Sequence, residues 1–153
     1  MDYILKVEWD EGDRVIEIGE VKEEKPVITS AEVWLDTIDD DTSKKSKAML
    51  ARVNIKGKFL SGSEAPKLKE KLRDIFLWAM DFKMSTTYRK VTLTVKEDEE
   101  TVFRTYEFDK IFVRDYKEIF KNSDEEGSDG DKGGTFELDL TQQDNQLDTI
   151  EVL

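Results

Sequence analysis

The sequence predicts a mainly β protein with a single α-helix lying on its sheet, and three features carry that reading. Between Ala65 and Phe82, Leu68, Leu72, Ile75, Phe76 and Ala79 recur at three- and four-residue steps, with Lys67, Lys69, Glu70, Lys71, Arg73 and Asp74 beside or opposite them. That is one apolar stripe on a charged helix, and it needs a partner surface. Soon after it, Val91, Leu93 and Val95 alternate with Lys90, Thr92, Thr94 and Lys96, the two-residue period of a half-buried strand. Finally, the eight Phe, four Tyr and three Trp fall inside periodic segments, so the core is aromatic although only 37% of the chain is hydrophobic and 39% is charged. A length of 153 residues suits one domain, spanning 1–153, with a core of useful size.

Taken in order, Tyr3, Leu5, Val7 and Trp9 alternate with Ile4, Lys6 and Glu8. Glu11-Gly12-Asp13 then supplies a turn, and Arg14 to Val21 returns as the second arm of an opening hairpin. Pro26 punctuates the link to a third strand, Thr29 to Ile38. A fourth runs from about Met49 to Phe59, with Val53 and Ile55 between Arg52, Asn54 and Lys56. Between them, 39–48 is an extended loop in which Asp39, Asp40 and Asp41 give way through Thr42 and Ser43 to Lys44, Lys45, Ser46 and Lys47, with no large apolar residue. Ser61-Gly62-Ser63 ends the fourth strand, and Pro66 fits the first turn of the helix over about 65–82, where a missing N–H costs nothing.

Strands at Arg89 to Glu97 and Thr101 to Asp109 follow, joined by the acidic turn Asp98-Glu99-Glu100. A further strand, Ile111 to Phe120, carries Phe112, Tyr116 and Phe120 on one face and Ile111, Val113 and Ile119 on the other. Apolar residues on both faces mark a central or intersubunit strand. The segment 122–134 has no apolar residue and is rich in Gly, Ser and acid, the composition of a mobile loop. Phe136, Leu138 and Leu140 restore alternation, and Ile150 to Leu153 can add a last short strand.

Composition excludes several function classes. With no Cys and no His the chain has no disulfide, thiolate, imidazole ligand or histidine base. A net charge of −12 repels nucleic-acid backbones, so sequence-specific nucleic-acid binding is not expected. The charge serves solubility first, and it would also make a repulsive wall along which cargo slides. The amino terminus lacks a basic start and an apolar run, and no stretch reaches the length of a membrane span; synthesis in the cytoplasm without a signal peptide, and no membrane insertion, are the expectations.

No candidate chemistry survives inspection. Asp39 to Asp41 and Asp124 to Asp131 are the only acid runs that could attract a cation, but counting from Asp129 the twelfth position is Leu140, where a calcium loop needs Glu. Asp115 and Glu118 are the only acids in an aromatic setting, and Ser43 and Ser46 sit with their Lys neighbours in a charged loop. Trp9, Trp34 and Trp78 could line a ligand groove, although Trp78, near Phe76 and Phe82, suits core packing better. Neither a cofactor, a metal nor an enzyme activity is expected.

The order of segments itself resembles a known family. Phe76-Leu77-Trp78-Ala79-Met80-Asp81, Tyr88 to Val95, Tyr106-Glu107-Phe108, Phe112 to Glu118 and Gly134-Thr135-Phe136-Glu137-Leu138, with Ile55-Lys56-Gly57 before the helix, are similar to the tube-protein superfamily. That superfamily joins the haemolysin-coregulated protein of type VI secretion to the major tail tube proteins of contractile phage tails and tailocins, and the flavour is that of a Gram-positive, clostridial-like member. The resemblance implies a closed or nearly closed antiparallel β-barrel with one flanking helix, and hexameric rings stacked into a hollow tube. It implies partners in copies of itself and in sheath and baseplate proteins, and incorporation into a released or ejected particle. It assigns Asp39 to Lys47 to contact with the adjacent ring. Phe112, Tyr116 and Phe120 are the candidate interface residues of the aromatic strand. A stand-alone barrel serving as adaptor or chaperone for a secreted cargo, and a hydrolase with an unrecognised acid pair, are the alternatives.

Overall fold

A computed structural model describes residues 1–9, 14–19, 27–37, 49–59, 65–83, 86–121, 134–143 and 149–153. Strands β1 (Asp2–Glu8), β2 (Val15–Ile18), β3 (Ile28–Thr37) and β4 (Met49–Lys58) precede helix α1 (Ala65–Met80). Strands β5 (Arg89–Lys96), β6 (Val102–Ile119), β7 (Thr135–Gln142) and β8 (Glu151–Val152) follow it. All pairings are antiparallel, in the order β2-β1-β5-β6-β7-β4-β3, with β8 on β6. The edges β2 and β3 are not hydrogen-bonded to each other, yet β3 passes close to β1, so the sheet curls towards a barrel. Among the described residues, the expected mainly β fold with one α-helix is what forms. The loop at 39–48, the turn at Glu11 to Asp13, Pro26, Ser61 to Ser63 and nearly all of 122–134 lie outside the described residues.

Alternation decides which side chains enter the core. Leu5 and Val7 of β1, Ile16 and Ile18 of β2, Val53 and Ile55 of β4, Val91 and Leu93 of β5, and Phe136, Leu138 and Leu140 of β7 point to one face and bury together. From α1, Leu68, Leu72, Ile75 and Trp78 join the same cluster. The stripe is therefore rotated from the expected one: Trp78 is 1% exposed, whereas Phe76 stands 47% exposed. Trp78 takes the inward place because its indole N–H finds an acceptor there, donating to the Thr87 carbonyl at 2.7 Å. Gly57 of β4 faces Phe136 of β7, and a Cβ built there would land on the Phe136 ring, so only glycine lets that ring lie flat on the strand.

The aromatic segment differs most from expectation. Thr101 to Asp109 and Ile111 to Phe120 are not two strands but one, β6, running 18 residues. Nothing at Lys110 supplies a turn, so the chain continues and changes partners: its first half pairs with β5 and its second with β7. Register shifts opposite Arg89/Val91 and between Val113 and Asp115 are β-bulges that bend it round the core. The second bulge also reverses the parity of the faces. Val113 lies opposite Leu140 and Tyr116 opposite Leu138, and both partners are core residues, so Val113 and Tyr116 share the inner face with Ile111. Phe112 and Ile119 lie opposite Thr141 and Thr135 and face outwards. The even-odd grouping of Phe112 with Tyr116, and of Ile119 with Val113, fails because one extra residue resets the two-residue period.

Candidate assembly surfaces

The outward face of β3, β4, β7 and the second half of β6 is laid out in cross-strand rows fixed by the pairing. Trp34, Arg52, Thr141 and Phe112 make one row; Glu32, Asn54, Asp139 and Asp115 the next; Ser30, Lys56, Glu137 and Lys117 the third. Neighbours within and between rows bind one another. Arg52 donates to Asp36 at 3.1 Å and to Asp139 at 3.2 Å, with its guanidinium 4.9 Å from the Trp34 ring. Asn54 donates to Glu137 at 3.0 Å, and Lys117 pairs with Glu137 at 3.2 Å. The Asn54 amide, with help from Lys117, holds the Glu137 carboxyl below its ordinary range. Three polar atoms here are buried without a hydrogen-bond partner: Arg52 Nε, Asp139 Oδ1 and Thr141 Oγ1.

On the inner face a second arginine is handled differently. Arg89, 6% exposed, has its guanidinium carbon 3.7 Å from the Trp9 ring and 5.0 Å from that of Trp78. Its Nε reaches the Thr86 carbonyl at 3.4 Å, and its Nη1 has no hydrogen-bond partner. Burial pulls its pKa down to about 10, against the opposing attraction of Asp81, and it remains a cation at neutral pH. Trp9 and Trp78 thus clasp a buried cation and do not line a ligand groove. Trp34 lies on the other face, apart from both.

The candidate interface residues separate. Phe112 faces outwards with Tyr88 edge-on to it at 5.7 Å. Tyr116 meets Phe76 of α1 edge-on at 6.0 Å and donates its hydroxyl to Glu118 at 2.8 Å; burial first and that carboxylate second push its phenol far above the usual range. Phe120, just past β6, is 73% exposed with one face stacked on Phe59 at 5.4 Å. Asp39, Asp40, Asp41, Thr42, Ser43, Lys44, Lys45, Ser46 and Lys47 lie outside the described residues. Large apolar side chains also stand exposed at Phe76, Leu77, Met80 and Phe82 near the end of α1, and at Val102 and Phe103 beside the β5–β6 turn. The expected stripe hid the α1 set, because it assigned Phe76 to the core. A cluster of three or more potential metal ligands is absent among the described residues. Among the described residues, no helix is long and apolar enough to cross a membrane.

The arrangement has counterparts among solved structures. Superposed on Hcp1 from Flavobacterium johnsoniae, the chain aligns over 99% of its length and 94% of that protein, with a TM-score of 0.54 at 13% identity. The fold is that of Hcp1. A doubly substituted Hcp1 from E. coli EAEC 042 aligns over 100% and 98% of the two chains, with a TM-score of 0.51 at 10% identity. A type six secretion system protein covers 93% of this chain and 79% of its own, at 0.50 and 11%. No protein-family profile matches the sequence. No curated protein matches it either. The likeness to Hcp1 agrees with the resemblance read from the residues; a Gram-positive or clostridial flavour is not part of what it shows.

Proposed function

We propose that the protein is a structural subunit of the inner tube of a contractile phage tail or phage-tail-like injection particle. In this reading the chain is one domain that assembles as hexameric rings stacked end to end and carries no catalysis. The observation that carries the reading is the end-to-end agreement of the fold with Hcp1 proteins, in a chain whose described surface offers exposed aromatics. Sheath and baseplate proteins of the same particle are its other partners, and the assembled tube leaves the cell with that particle. Phe112 and Phe120 contact neighbouring copies. Tyr116 supports them from beneath through α1. The segment Asp39 to Lys47 reaches the adjacent ring, since its passage from acid to base lets one end of it find an opposite charge on either side.

Negative-stain electron microscopy of the concentrated protein tests this. The unaltered chain gives six-fold rings and stacks of them, and deletion of Asp40 to Lys47 leaves a folded protein that forms no stacks. Normal tubes from the deletion variant would remove that segment from the ring contact, and the absence of rings from the unaltered chain at every concentration would overturn the reading itself.

A further inference from the structure

The outward side of α1 is divided along its length. Lys69, Arg73, Phe76, Leu77 and Met80 follow at steps of three, four, seven and eight residues, so they share one exposed stripe, basic in its first half and apolar in its second. Against Glu70 and Asp74, α1 is a net cationic helix in a chain of net charge −12. A basic patch on so acidic a protein draws acidic partners.

The complementary pattern exists on the same chain, out of its own reach. The β5–β6 turn exposes Glu97, Asp98, Glu99 and Glu100, and Val102 and Phe103 follow at once, 53% and 51% exposed. The turn is firmly built. Asp98 Oδ1 accepts from the backbone N–H of Glu100 and of Thr101, both at 2.9 Å, and Lys96 Nζ donates to the Glu99 carbonyl at 2.7 Å. A register shift beside Lys96 re-aims Phe103, whose ring lies under Arg104. On both patches charge and apolar surface are contiguous: Phe76 lies one helical turn beyond Arg73, and Val102 and Phe103 open β6 directly after the acids of the turn. Within one chain the two patches cannot meet: the turn stands at the far end of β5 from Arg89, which packs against Trp78 of α1, and β5 is about 23 Å long at 3.3 Å per strand residue.

We infer that α1 of one copy receives the β5–β6 turn of the next, Glu99 and Glu100 meeting Lys69 and Arg73 while Val102 and Phe103 lie on Phe76, Leu77 and Met80. Two different patches joined in this way make a head-to-tail contact, which propagates from copy to copy and closes into a ring when the rotation allows. The inference deepens the proposed function, and rests on it, by naming the surfaces through which copies of this chain join.

Because the chain has no cysteine, introduced ones report the contact cleanly. The double variant Arg73→Cys with Glu100→Cys, oxidised after assembly, is expected to run as a covalent ladder up to the full ring on non-reducing gels, while each single variant gives none. In a second arm, Glu99→Lys with Glu100→Lys abolishes rings, Lys69→Glu with Arg73→Glu does the same, and the four changes together restore at least half of the rings formed by the unaltered chain. Circular dichroism on every variant checks that these exposed positions leave the fold intact. Rings that form without the ladder and ignore the charge reversals would overturn the inference while leaving the proposed function standing, and would assign the helix face to a different acidic partner. A chain that neither assembles nor cross-links would overturn both.

Discussion

Arg52 and Arg89 are the same residue type on opposite faces of one curled sheet, and the fold accommodates them by different means. Arg52 sits on the outward face, where water is near, and is neutralised by two carboxylates. Arg89 sits on the inner face, held between Trp9 and Trp78 and without an ion pair among the described residues. The inner site offers flat aromatic faces, whose negative π-surface stabilises a guanidinium with little loss to desolvation beyond what the protein has already incurred. The outer site offers acids because alternation places Asp36 and Asp139 within reach of β4. A buried cation therefore does not have to imply a buried anion; what surrounds it depends on the face its strand parity selects.

The comparison breaks most readily at Arg89. Truncation to Ala removes the packing between two indoles as well as the cation–π contact, and we expect a loss of about 3 kcal/mol in urea unfolding. Arg89→Met fills the same slot without a charge to desolvate and should cost less than about 1.5 kcal/mol. At Arg52 the Met substitution is the harmful one. It leaves Asp36 and the more buried Asp139 facing each other without a cation, for a loss of about 2 kcal/mol after allowance for the exposure of Asp36. Equal losses for the two Arg→Met variants would dissolve the contrast between the sites.

Smaller effects sharpen it. Trp34→Ala strips one aromatic face from Arg52 but leaves both carboxylates, and is expected to cost about 1 kcal/mol by thermal unfolding. The smallest effect is pH-dependent. Glu137 is held below its ordinary value of 4.5, so its contribution is fully present above that value and is lost as pH falls through the lower folded-state value. Asn54→Ala removes the chief cause of the depression. Its deficit against the unaltered chain should be constant near neutrality and shrink below about pH 4.5, whereas a deficit that grows on acidification would contradict the assignment.

Much of this was legible in the residues. Strand alternation at β1, β5 and β7, the helix, the acidic hairpin turn and the final short strand all follow from periods of two and 3.6, which backbone geometry imposes. The misreadings of β6 share one cause. A bulge leaves no mark in composition, so the fusion of two predicted strands into β6, and the transfer of Tyr116 to the inner face, depended on pairing partners far away in sequence. Arg89 is equally hidden: it stands where alternation predicts an inward residue ahead of Val91 and Leu93, but a charged residue at a strand end carries no compositional sign of burial. That parity was the available signal. The choice of Trp78 over Phe76 for the core turned on an acceptor, the Thr87 carbonyl, that the helix pattern does not contain.

The central claim is that this chain builds rings from copies of itself, and native mass spectrometry of the purified protein over a range of concentrations tests it most directly. The account predicts a species of six chains that grows at the expense of the single chain as concentration rises, with multiples of six beyond it. A single chain at every concentration, or oligomers of unrelated stoichiometry, would contradict it.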